Sequence, residues 1–122
     1  MAEIRPEMRG AAWQIAVEKF KGVTSTDETA VTVGTTVTEV APADPERVMV
    51  MLINLATATM HVAPTNQVSA TRGIALGPAG GALISMVGDD GELTTRAWFA
   101  IGGIAAGTCY RATVRRHTAA PR

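Results

Sequence analysis

Two histidines, one cysteine, one mid-chain serine and a short acidic turn are the side chains of this 122-residue sequence best suited to chemistry. His61 and His117 are too few for a histidine-based metal centre without carboxylates, and no HExxH spacing pairs them. His61 stands between Met60 and Val62 in an alternating run, which predicts a surface or interface position. Cys109 is alone, so an intramolecular disulfide and a cysteine-rich zinc site are both excluded. Its apolar neighbourhood beside Tyr110 predicts a small buried hydrophobe rather than a reactive thiol. Ser85 lies in a strand-like run and not in a GxSxG elbow, so a nucleophile there would need His and Asp brought from elsewhere. Asp89-Asp90-Gly91-Glu92 offers oxygens to a hard cation but lacks the extended ligand spacing of an EF-hand loop, and reads as an ordinary tight turn. Gly77-Pro78-Ala79-Gly80-Gly81 is followed by no Lys-Ser/Thr pair and opens no helix, so it is no P-loop. The reading assigns no catalytic, cofactor-binding or metal-binding residue, and the chain is expected not to be an enzyme.

The charge count points away from polyanionic partners. Eleven acidic and eleven basic residues cancel, leaving no global field to attract nucleic acid or an anionic membrane. Arg111, Arg115 and Arg116 form a small basic end without interleaved aromatics, which suits pairing with Glu or Asp across an interface better than a nucleic-acid groove. The few aromatics, Trp13, Phe20, Trp98, Phe99 and Tyr110, argue against a sugar-stacking platform unless Trp98 is exposed in a groove. No apolar run approaches the ~20 residues needed to span a bilayer. The N-terminus has no continuous apolar segment of signal-peptide type. The expected location is therefore the cytosol of the producing cell, or a larger particle assembled there.

The elements that would position these residues follow from periodicity. Residues 1–28 hold nine of the twenty-two charges and carry an apolar stripe, Trp13, Ala16, Val17 and Phe20, at three- and four-residue steps. This predicts an amphipathic helix from about Pro6 to Lys21, entered at Pro6 and stopped at Gly22. It would either cover an open face of its own domain or serve as an arm that docks on a neighbour. From Thr29 the period becomes two. Strands are expected at Val31–Val40 with a bend at Gly34, Arg47–Leu55, Met60–Ala63, a short piece near Ile74 and Leu76, Ala82–Val87, Arg96–Ile101 and Thr108–Arg115. Gly88-Asp89-Asp90-Gly91 is expected to close a hairpin. The fold class is all-β: an antiparallel β-sandwich with jelly-roll or Greek-key connections and one N-terminal amphipathic helix. The domains are a helical arm at 1–28, a sandwich at 29–117 and a flexible tail at 118–122.

Three stretches contain no residue charged at neutral pH: Val48–Thr71, Gly73–Gly88 and Ala97–Tyr110. Soluble domains normally place charge on every exposed strand. In the third strand Val48, Val50 and Leu52 face one way, while Met49, Met51, Ile53 and Leu55 face the other. Trp98 likewise opposes Phe99 and Ile101. Both faces of these strands therefore want cover, and only one can be the sandwich core. In the last strand Tyr110, Ala112 and Val114 are expected inside, with Arg111, Thr113 and Arg115 outside.

Between residues 30 and 100 the order of strand and turn residues resembles the small β-sandwich virion proteins of tailed bacteriophages, which serve as capsid decoration proteins, head fibres and tail accessory subunits. The likeness lies in Val31-Thr32-Val33-Gly34-Thr35-Thr36-Val37-Thr38-Glu39-Val40, in Pro45-Glu46-Arg47-Val48 followed by Asn54, in Met60-His61-Val62-Ala63, and in Val68-Ser69-Ala70-Thr71 and Gly73-Ile74-Ala75-Leu76 with Gly77-Pro78. The N-terminal helical segment lies outside that pattern. The resemblance implies a virion subunit without catalysis, made in the host bacterial cytoplasm. Such a subunit forms a symmetric homo-oligomer, preferably a trimer, and binds the major capsid protein or other virion proteins, with neither nucleic acid nor membrane as a partner. Met49, Met51, Ile53 and Leu55 are the expected assembly residues, and Trp13, Val17 and Phe20 the expected anchor. A fibre-tip module that binds a host surface or carbohydrate would instead use the loop residues Thr65, Asn66, Gln67, Ser69 and Thr71. A head–tail or tail accessory role would differ in the symmetry of its ring.

Overall fold

The period-two stretches are strands, and they stack as two sheets. The computed structural model describes residues 24–116. Its strands are β1 (Thr24–Val33), β2 (Thr38–Ala41), β3 (Arg47–Asn54), β4 (Met60–Ala63), β5 (Ile74–Leu76), β6 (Ala82–Met86), β7 (Trp98–Gly102) and β8 (Gly107–Arg116). Pairing is antiparallel and nested: β1 with β8, β2 with β7, β3 with β6 and β4 with β5. Two further pairings, β3 with β8 and β4 with β7, complete a first sheet β1-β8-β3-β6 and a second sheet β2-β7-β4-β5. The expected helix Pro6–Lys21 with Trp13, Val17 and Phe20, together with His117 and the tail 118–122, lies outside the described residues.

Between the sheets the inward residues of β-branched and aliphatic type close a dry core. Val33, Val40, Val50, Leu52, Met60, Val62 and Ala100 are fully buried, with Trp98 against them. Each of the valine, leucine and methionine side chains among them contributes about 1.5–3 kcal/mol by leaving water. The strand alternation is visible along β3, where Val48, Val50 and Leu52 are buried while Met49, Met51 and Ile53 are only half-buried.

Two features depart from the expected layout. Strand structure begins at Thr24, five residues before the period-two pattern starts, because Thr24–Glu28 pair in register with Ala112–Arg116. The bend at Gly34 is where the chain leaves the first sheet for the second. A Cβ at Gly34 would stand 2.8 Å from the Ala105 carbonyl oxygen, so a side chain there would collide with backbone. The second departure is the acidic turn, which closes no hairpin. β6 and β7 belong to different sheets, joined by a one-turn helix α1 (Val87–Asp90) and a 3-10 turn (Gly91–Thr95). The Asp90 carboxylate accepts the Met86 backbone N–H at 2.9 Å, which turns the chain into α1 instead of across a β-turn.

The crossings at both ends of β3 are held by buried polar side chains. Arg47, 3% exposed, donates from Nε to the Thr94 carbonyl (2.9 Å), from Nη1 to Pro42 (2.8 Å) and from Nη2 to Arg96 (2.6 Å). It thereby pins the β2–β3 connection to the segment between α1 and β7. Burial holds its guanidinium below the ordinary arginine range, with Asp44 nearby opposing that effect. Beside it the Ser85 and Thr94 hydroxyls share a buried hydrogen bond of 2.8 Å. At the opposite end Asn54, with no exposure, donates from Nδ2 to the carbonyls of Ala58 and Leu76 at 2.9 Å, and its Oδ1 accepts the Ala56 N–H at 2.8 Å. One side chain thus ties the turn before β4 to the turn after β5.

Removing either group strands several buried carbonyls without donors. Arg47→Met is expected to cost about 3–5 kcal/mol and Asn54→Ala about 2–4 kcal/mol, read from urea denaturation midpoints at unchanged slope. A loss below about 1 kcal/mol at Arg47 would contradict its bracing role.

Candidate interaction surface

The outer face of the first sheet is built from three cross-strand rows. They read Thr26-Val114-Met49-Met86, Glu28-Ala112-Met51-Ile84 and Ala30-Tyr110-Ile53-Ala82. Within these rows Glu28 is the one charged residue, and its carboxylate accepts the Tyr110 hydroxyl. A groove of about 390 Å³ runs over the β1 side of this face, lined by Thr26, Glu28, Met49, Tyr110, Ala112 and Val114. The face continues onto β6, an edge strand with no charged residue, where Ile84 is 55% exposed. Edge strands ordinarily carry charge, proline or a bulge to prevent pairing with other chains. β6 has none of these.

Of the expected assembly residues, Met49, Met51 and Ile53 lie together on this face, half-buried. Leu55 follows the end of β3 and is 53% exposed. The last strand runs in the opposite phase to the expected one. Tyr110, Ala112 and Val114 share the outer face with the methionines, whereas Cys109, Arg111 and Thr113 point to the side of Val31, Leu52 and Val50. The register explains this: β8 lies between β1 and β3, so its outward residues join the apolar rows. Arg111 is accommodated inside because its Nη1 donates to the Val40 carbonyl at 2.9 Å where β2 runs out.

His61 is half-buried on the outer side of the second sheet, paired with Ile101 and Ala75. Cys109 is fully buried, and burial pushes its thiol up to about 11. Trp98 is 3% exposed and its Nε1 donates to the Leu93 carbonyl at 3.1 Å, so its ring is not a stacking platform. Ser85 is buried against Thr94. In the loop before β5, Val68 is buried and anchors an otherwise exposed turn, closed by mutual backbone bonds between Ser69 and Arg72. The structure brings Thr65, Asn66, Gln67, Ser69 and Thr71 together there. Their polar groups are partly spent on one another: Thr65 Oγ1 accepts the Gln67 N–H, and the Ser69 and Thr71 hydroxyls lie 3.3 Å apart. Among the described residues no three His, Cys, Asp or Glu side chains gather as a metal-holding group.

A separate polar region lies at the end of the sandwich near the β2–β3 connection. Arg115 clasps the Asp44 carboxylate with Nε at 2.9 Å and Nη2 at 3.2 Å, and Arg116 pairs with Glu46 at 3.0 Å. The sequence suits these arginines to acids across an interface; in the fold Arg115 and Arg116 meet acids of the same chain, 71 and 70 residues earlier. The bond from Arg115 holds the Asp44 carboxyl below its ordinary value, against partial burial, and the Glu46 N–H adds to the effect.

No protein-family model matches the chain, and no curated protein matches it. Among solved structures it is similar to a chain described under "Bacillus endospore appendages form a novel family of disulfide-linked pili", at 12% identity and a TM-score of 0.47, over 77% of this chain and 88% of that one.

Because its folded-state acidity is the stronger, Asp44 contributes stability above the ordinary carboxylate value, and that contribution vanishes as pH falls through the lower folded value. Thermal melts between about pH 6 and pH 2 should therefore show a steeper loss for the native chain than for Asp44→Asn. Parallel curves would contradict the assigned role of the Arg115 pair.

Proposed function

We propose that this chain is a non-enzymatic structural subunit of a tailed-phage virion, a capsid decoration or cement protein that works as a symmetric homo-oligomer, preferably a trimer. The carrying observation is the outer face of the first sheet, whose three rows are apolar over β8, β3 and the uncharged edge strand β6, with Thr26 and Glu28 confined to β1. A monomer gains nothing from leaving Met49, Met51, Ile53 and Ile84 in water beside an unprotected edge. A second copy that covers them removes that cost, and closed symmetry repeats each weak contact. Leu55 extends the same surface at the end of β3. We take the nested pairing of β1 with β8 through β4 with β5 as a jelly roll, a double-sheet architecture used in viral capsid proteins. On this reading Trp13, Val17 and Phe20, outside the described residues, make the contacts with capsid or other virion proteins, and the working protein belongs to the virion.

The distribution of polar groups supports a structural role. Arg47, Asn54, Ser85 and Thr94 spend their hydrogen bonds inside the sandwich on the chain's own crossings. A fibre-tip module is the second reading, favoured by the exposure of Asn66, Gln67 and Thr71 on a loop anchored by Val68. A head–tail or tail accessory ring is a variant of the first.

Light scattering on the purified full chain tests the assembly reading. The native chain should run as a small closed oligomer, and the double variant Met51→Lys, Ile84→Glu, which sets opposite charges on directly paired positions, as a folded monomer whose melting temperature no longer rises with protein concentration. A native monomer at all concentrations would overturn it. Deletion of residues 1–22 should leave the sandwich folded and abolish attachment to the particle, and saturable glycan binding by the free protein would favour the fibre-tip reading.

A further inference from the structure

Between β1, β8 and the β2–β3 connection lies a second cleft, of about 460 Å³, whose charged lining is Asp27, Asp44, Arg47, Arg111 and Arg115. Its origin is the inner face of the first sheet, which grades from apolar at β3 to polar at β1. The inner rows run Val50-Thr113-Asp27 and Leu52-Arg111-Thr29, and Asp27 and Thr29 are exposed because β2 has ended before it can cover them. The cleft is therefore a wedge with a dry wall on one side and an arginine-rich floor.

The charges in this wedge do not cancel. Three guanidinium groups face two carboxylates. Asp44 is already clasped on both oxygens by Arg115 and also accepts the Glu46 N–H at 2.9 Å. Arg47 is spent on three carbonyls and hydrogen-bonds no carboxylate. Asp27 approaches Arg111 Nη2 at 3.7 Å, an ion pair without a short hydrogen bond, and is itself mostly exposed. Arg111 Nε is buried with no hydrogen-bond partner among the described residues. Buried arginine donors are rarely left this way, because the lost hydration is not returned. The Arg111 charge also repels Arg47, adding to the burial that already disfavours the Arg47 cation.

We propose that this cleft is a binding site for a single carboxylate group, seated against Arg111 and Arg115. A carboxylate has two coplanar oxygens that match a guanidinium fork, and one negative charge offsets the local excess of one positive charge. A phosphate dianion would overshoot it. Thr113, which lines the same cleft, offers a hydroxyl donor beside the arginines. The carboxylate has two possible sources, a free small carboxylate or an acidic side chain of a neighbouring copy. The site stands on its own geometry, and only the second source rests on the assembly reading.

Sodium acetate titrated against chloride at constant ionic strength tests the site, with the arginine Nε–H resonances followed by NMR. A saturable shift of the Arg111 Nε–H signal is expected in the native chain, with affinity, read in both proteins from the Thr113 backbone amide, at least about tenfold weaker in Arg111→Lys, which keeps charge without the fork. Arg115→Gln, altering a side chain that is 44% exposed, should weaken binding to a similar degree by removing one guanidinium and leaving Asp44 uncompensated. No saturable shift in the native chain, or native affinity retained in both variants, would overturn the proposal. The source is read from light scattering in the same titration. If acetate lowers the oligomer mass, it displaces a neighbour's carboxylate. If acetate binds at unchanged mass, the site serves a free carboxylate. A native monomer that still binds acetate would reject the assembly reading while leaving the site intact.

Discussion

A lone cation buried among backbone carbonyls is the constraint on which the sandwich depends. Arg47 opens β3 and reaches three carbonyls from two separate connections, so neither can move without stranding a charge in the interior. Burying a guanidinium is expensive, and only full hydrogen bonding makes it tolerable. The arrangement also explains why an acidic turn that would suit a hairpin becomes instead α1 and a 3-10 crossing. The Thr94 and Arg96 carbonyls must face Arg47, and a tight β6–β7 hairpin could not present them. Asn54 does the neutral equivalent seven residues later, so β3 is braced at both ends.

With the crossings held from inside, the outer faces are released from any structural duty. β3 spends its even-numbered residues on the core and is left with Met49, Met51 and Ile53 outside. β8 and β6 add Tyr110, Ala112, Val114, Ile84 and Met86 to the same surface. A charge-free edge strand beside an apolar face would be a hazard in a free monomer. On the proposed assembly reading, the same features are what a neighbouring copy would bind. Charge is kept at the end of the sandwich, where Asp44, Glu46, Arg115 and Arg116 pair across the chain's two halves.

Much of this was legible from residue order. Alternation located β3, β4, β6, β7 and β8 to within a residue or two, and the two-sided character of β3 followed from Val-Met-Val-Met-Leu-Ile alone. What the order of residues could not reveal was pairing between distant segments. The phase of β8 was misread because Tyr110-Ala112-Val114 against Arg111-Thr113-Arg115 has the pattern of an ordinary one-sided strand. Only its position between β1 and β3 turns the apolar side outward. Arg47 and Asn54 are the two polar residues of the otherwise apolar run Arg47–Leu55, but their partners lie up to 49 residues away, and periodicity carries no information at that range. The early start of β1 was hidden because Thr24–Glu28 is too polar to look like a strand. It is an edge segment whose pairing with Ala112–Arg116 supplies the missing reason.

The central claim, that neighbouring copies cover the outer face of the first sheet, is tested most directly by hydroxyl-radical footprinting of the full chain across a dilution series. Met60, fully buried in the core, serves as the internal reference. The account predicts that Met49, Met51 and Met86 are as protected as Met60 in the assembled species and oxidise readily once dilution gives monomers. Equal oxidation in both states, or full protection already present in the monomer, would contradict it.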